Sequence, residues 1–125
     1  MRGIAAYQQR RVESASPTKV VVMLYQEAVH RLTRAAADIE AGGSSHLGDI
    51  HHARKIFVEL LSALDPNAAP ELCAKLASLY QWCLDELVQA GKTKDVKHLN
   101  NVVQVANTLL EGWQFVANNG QQAQP

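Results

Sequence analysis

Four stretches of the chain repeat apolar residues at three- and four-residue steps, the spacing of one face of an α-helix. The first runs from Pro17 to Glu40, with Val20, Leu24, Ala28, Leu32, Ala35 and Ile39 in phase. Ser16-Pro17 marks its start, because a serine side chain accepts from free backbone N–H groups and proline is tolerated at the first helical position. Gly42-Gly43-Ser44-Ser45 ends it and supplies caps for a second helix, His46 to Leu64. That helix carries Leu47, Ile50, Ala53, Phe57, Leu60 or Leu61, and Leu64 on one side. Asp65-Pro66-Asn67 breaks the chain, since proline disfavours helix at the residue before it. A third helix is predicted from Pro70 to Ala90, with a dense stripe through Leu72, Cys73, Leu76, Leu79, Tyr80, Cys83, Leu84, Leu87 and Val88, and Gly91 as its stop. Thr93 as cap and Asp95 near the positive end of the dipole open a fourth. Its Val96, Leu99, Val102, Val103, Ala106, Leu109, Leu110, Trp113 and Val116 face inward.

No stretch alternates at period two and none repeats. Short connections favour antiparallel neighbours, so the expected fold is all-α, an antiparallel up-down four-helix bundle over residues 16–117. Residues 1–15 are expected to form a short, mobile N-terminal arm, helical or extended, anchored only by Ile4 and Tyr7. The amide-rich residues 118–125 are expected to be a disordered tail. Some helices are apolar beyond one core face: Val21, Val22, Met23, Tyr25 and Val29 on the first, Ile56 and Val58 on the second, Trp82 on the third. Such a helix must bury a second side. The cover is expected from the N-terminal segment, a second copy, or a partner helix laid in a groove.

Composition narrows the function. The formal net charge is zero and the pI near 7, without the basic excess of a nucleic-acid binder. The longest apolar run, Val20 to Tyr25, is far too short to span a bilayer, and the N-terminus lacks a signal core. A cytosolic protein without membrane insertion is expected. Cys73 and Cys83 are ten residues apart on one helix, about 15 Å along its axis. A disulfide needs Cα atoms within about 7 Å, so both are expected as buried core thiols.

Chemistry-bearing residues are sparse. His46 and His51 are five apart and share no helix face, so His46, His51 and His52 read as a solvated polar face, and no metal or cofactor is expected. Asp38, Glu40, Asp49 and Glu59 read as surface charges, without a glycine-rich phosphate loop, nucleophile elbow or di-iron ligand set. The chain is therefore not expected to be an enzyme. A histidine phosphotransfer domain is the alternative, with His30 near Arg31 and Arg34, but it expects a small residue where Arg34 stands.

Tyr7, Val12, Ser14-Ala15-Ser16-Pro17 and Met23-Leu24-Tyr25 together resemble the opening of flagellar secretion chaperones of the FliS family. Ala53, Ile56, Glu59-Leu60 and Leu64 resemble that family's second helix, Leu79-Tyr80 with Trp82 its third, and Leu109, Glu111 and Trp113 the end of its last. Val20-Val21 and Glu27 depart from the family's usual residues. The resemblance implies a chaperone that binds the C-terminal segment of flagellin, prevents premature polymerisation and delivers it to the flagellar type III export gate. It also implies that the N-terminal segment occupies part of the groove when flagellin is absent. Ile4 and Tyr7 are then the plug, and Tyr25, Ile56, Leu60, Tyr80 and Trp82 are groove or rim positions. Ordinary core packing is the competing reading for Met23, Leu24, Leu60, Leu79 and Trp113. A monomer or weak homodimer is expected.

Overall fold

Residues 17–123 are described by a computed structural model, with side chains from 17 to 119. Ile4, Tyr7, Ser16 and the expected arm lie outside the described residues. Four helices follow one another: α1 Pro17–Glu40, α2 His46–Ser62, α3 Pro70–Thr93 and α4 Val96–Ala123. Each packs on its neighbours in sequence, and α1 closes the ring against α4. Pairing runs antiparallel: Arg31 meets Asp49 while Glu27 meets His52. Among the described residues there is no strand.

Two stripes of equal spacing form the centre. Tyr25, Ala28, Leu32 and Ala35 on α1, and Tyr80, Cys83, Leu87 and Ala90 on α3, are all buried. These helices stand on one diagonal of the bundle. Small residues at every second core position leave room for Phe57 of α2 and for Leu99 and Val102 of α4 between them. The two tyrosines bridge the diagonal, with their hydroxyls 2.5 Å apart. The Phe57 ring packs on Tyr80 at 6.1 Å between centroids. Burial, then the Tyr80 hydroxyl, raises the Tyr25 pKa, so the pair stays neutral.

Several boundaries differ from expectation, each for a local reason. Helix α2 stops at Ser62, where its hydroxyl turns back to the Glu59 carbonyl. Gly91 does not stop α3, which continues to Thr93 and ends on Lys94 in the left-handed region. Gly91 lies inside the last turn of α3, where an added Cβ would make only an ordinary contact with Leu47 Cδ2, at 3.8 Å. Asp95, not Thr93, caps α4, accepting the Lys97 N–H at 2.9 Å. Residues 118–123, expected in the tail, are the last turns of α4.

His46 and Asp49 are buried rather than solvated. Asp38, at the end of α1, accepts the Ser45 and His46 backbone N–H groups and the His46 Nδ1–H, each within 3.0 Å. A carboxylate from the preceding helix thus caps α2 at its positive end. Gly43 packs directly on that carboxylate, where any Cβ would collide with Asp38. These hydrogen bonds, from the His46 ring first, hold the Asp38 pKa below its ordinary value. Of the thiols, Cys83 is in the core, where burial pushes it up to about 12. Cys73 is only half-buried, with Sγ 3.1 Å from the Asp65 carbonyl.

Candidate functional site

The expected groove residues separate into two groups. Tyr25, Ile56, Leu60 and Tyr80 are buried in the core, which corrects their placement at a groove or rim. Helix period alone places a residue on a stripe but does not say which edge of that stripe the neighbouring helices cover. Trp82 remains on the surface, 37% exposed. Ile4 and Tyr7 lie outside the described residues.

Trp82 belongs to a continuous seam. On α3, Leu72, Lys75, Leu79, Trp82 and Glu86 recur at steps of three and four and so share one flank. On α4, Val105, Leu109, Gly112 and Val116 do the same, and His98 lies two turns, seven residues, before Val105. His98 Nδ1 meets Glu86 Oε2 at 2.5 Å. That contact turns the two flanks towards each other near the α3–α4 turn, and helix period carries them along the same side of the bundle.

Only the end nearest the α3–α4 turn is closed, by Glu86 and His98. Away from it the seam stays open. Leu72 is 53% exposed and Val116 49%, while Leu79, Val105 and Leu109 are half-buried. Just outside the seam stands Phe115, 68% exposed. The sequence stripes point Leu72, Leu109 and Val116 inward; Leu109 packs against the core, whereas α3 and α4 leave Leu72 and Val116 uncovered. The α4 wall has a second property. Between Leu99 and Pro125 the chain carries one charged residue, Glu111. Outward positions Asn100, Asn101, Gln104, Asn107 and Thr108 are uncharged and exposed.

The α1–α2 face carries charge instead. Arg31 Nε donates to Glu27 at 2.9 Å and its Nη1 to Asp49 at 3.1 Å, and Arg34 adds a second contact to Asp49 at 3.3 Å. Burial, then Arg31, lowers the His52 pKa. Exposed His30 stands beside this face, but Arg34 is engaged with Asp49. Among the described residues no three His, Cys, Asp or Glu gather as a metal would require. No described helix is long and apolar enough to cross a membrane.

An exposed apolar flank therefore runs along the α3–α4 side of the bundle, with Leu72, Trp82 and Val116 on it. The family model described as flagellar protein FliS matches residues 1–120. The chain belongs to the FliS family. The flagellar secretion chaperone FliS of Salmonella typhimurium is 31% identical over 121 residues, covering 92% of this chain and 90% of that one. FliS of Campylobacter jejuni is 30% identical over 120 residues, with 95% and 94% covered. In Vibrio cholerae, FliS is 29% identical over 119 residues, with 90% and 88% covered. A crystal structure of a bacterial flagellar chaperone superposes with a TM-score of 0.72 at 22% identity, over 94% of this chain and 98% of that one. The last comparison shows that this chain shares that structure's fold.

Proposed function

We propose that this FliS-family protein is a cytosolic chaperone for flagellin. It holds the C-terminal segment of flagellin, keeps it from polymerising early and presents it to the flagellar type III export apparatus. The supporting observation is the open α3–α4 seam, with Leu72, Trp82 and Val116 exposed along it. An amphipathic segment that is disordered when free folds its apolar face onto such a seam and stays releasable.

Magnitudes limit the form of the complex. Burying one large apolar side chain contributes about 1.5–3 kcal/mol. Association and ordering oppose this by about 4–15 kcal/mol. Leu72, Trp82 and Val116 alone leave little surplus, so a tight partner must also cover neighbouring surface. Phe115 lies beside the seam, and Val58 is exposed on the other side of α3. A helix of about forty residues is about 60 Å long, enough to pass the seam and turn onto a second face. In this reading Trp82 is a contact residue, and Ile4 and Tyr7 in residues 1–15 occupy part of the seam before flagellin arrives. Buried Tyr25, Ile56, Leu60 and Tyr80 support the bundle from within.

The test is calorimetric titration of the full chain with a peptide of the last forty or so residues of its organism's flagellin. One-to-one binding with a large negative heat-capacity change is expected, since apolar burial carries that signature. Folded protein that gives no heat at any temperature would remove the flagellin reading.

A further inference from the structure

Gly112 lies in the open seam, and no contact among the described residues requires a glycine there. It is inside α4, where glycine is a poor helix former, and its φ is not among the positive ones. A Cβ built on it would meet nothing within 4 Å. Neither turn geometry nor packing among the described residues therefore requires it. Gly48 is equally open, but it sits in the first turn of α2, outside the seam. Gly112 interrupts an apolar flank, between Leu109 and Val116, opposite the flank that carries Leu72 and Trp82. A missing side chain there leaves a notch in a wall that is otherwise apolar.

We infer that Gly112 is the point where the backbone of a bound flagellin helix comes closest to this bundle, and that the notch selects the helix that fits. The inference rests on the flagellin reading above and adds the crossing point and the chemistry of the segment. Helices approach closely where one of them lacks a Cβ, and the ridges of the other then enter the gap. The charge-poor α4 wall sets a second requirement. A charged side chain pressed against Asn101, Val105 and Thr108 loses water without gaining a counter-charge. The segment held here is therefore an amphipathic helix with an apolar stripe and an uncharged flank towards α4. Any charge it carries lies on the other flank, near Lys75 and Glu71 of α3, which are both exposed.

The experiment compares wild type, Gly112→Ala, Gly112→Leu and Gly48→Ala by melting and by titration with the same flagellin peptide. Gly112→Ala is expected to raise Tm, because alanine is the better helix former and the space is open. It is also expected to weaken binding about tenfold or more, as one unaccommodated methyl does in an apolar site, and Gly112→Leu to weaken it further. Gly48→Ala is expected to bind as wild type. If Gly112→Ala binds as tightly as wild type, the crossing point is wrong and the flagellin reading stands. If wild type itself does not bind the peptide, both fall.

Discussion

The α1–α2 and α3–α4 seams are built from the same kind of helix pair and end in opposite states. Along α1–α2, Asp38 caps the facing helix, and Glu27, Arg31, Arg34 and Asp49 link the flanks. Along α3–α4, Glu86 with His98 closes one end, and the rest presents Leu72, Trp82 and Val116 to solvent. Charges that find partners inside the chain seal a seam and make it a fixed part of the fold. Apolar groups left without partners hold part of the hydrophobic free energy in reserve for binding. In the proposed function, stability and recognition then lie on opposite sides of a small bundle.

Truncating one aromatic on each side of this division has the largest expected effect. Phe57 is fully buried against Tyr80, so Phe57→Ala is expected to destabilise by about 3–5 kcal/mol in denaturant unfolding. Trp82→Ala is expected to change stability by no more than about 1 kcal/mol, and to weaken peptide binding by about 2 kcal/mol, as a contact aromatic does. Equal destabilisation by the two would make Trp82 core and dissolve the distinction.

The next effect tests the buried polar pair on the α1–α3 diagonal. Tyr25→Phe leaves the buried Tyr80 hydroxyl without its partner. A loss of about 1–3 kcal/mol is expected. The double variant Tyr25→Phe, Tyr80→Phe should lose less than the sum of the two singles, because both remove the same hydroxyl pair. A double variant that loses the sum of the two singles would mean that the hydroxyls act independently.

Acid should weaken the sealed side in two steps. His52 has a lowered pKa, so its contribution is present above the ordinary imidazole range and is lost as pH falls through its own lower value. Asp38 follows the same sign at lower pH: its contribution holds above the ordinary carboxylate range and is lost as pH falls through its depressed folded value. Stability against pH should show both steps. His52→Gln should remove the upper one and Asp38→Asn the lower one, while Trp82→Ala should leave both.

Much of the architecture is legible from the sequence, because proline and glycine punctuate it. Pro17, Glu40, His46 and Pro70 are read correctly as ends. Gly91 misleads because the left-handed residue that ends α3 is Lys94, three positions on. The site was harder to read. Tyr25 and Tyr80 look like surface aromatics, yet each heads a buried stripe of the same spacing, Tyr25-Ala28-Leu32-Ala35 and Tyr80-Cys83-Leu87-Ala90. That shared pattern was a usable signal for core. Leu72 and Val116 lie on apolar stripes and still remain uncovered. Periodicity gives the direction a residue points, whereas the separation of two helices depends on the whole bundle.

The smallest expected effect on stability is also the sharpest test of the contrast. Thr108 is exposed on the uncharged wall, and its hydroxyl merely returns to the Gln104 carbonyl at 3.1 Å. Lysine is the better helix former, so Thr108→Lys should change stability by less than about 0.5 kcal/mol. Its ammonium has no carboxylate nearby on α4 except Glu111, three residues on. Covered by a partner, it must be dehydrated or swing aside, and either response weakens binding. Ala37→Lys places the same charge on exposed α1, beside Asp38 and Arg34. It should leave both stability and binding nearly unchanged. If the two lysines weaken the peptide equally, the effect is long-range charge and should vanish in high salt, where exposed charges are screened within about 3 Å at 1 M. If only the Thr108 variant weakens it, and still does so in salt, the uncharged wall is itself part of the binding surface.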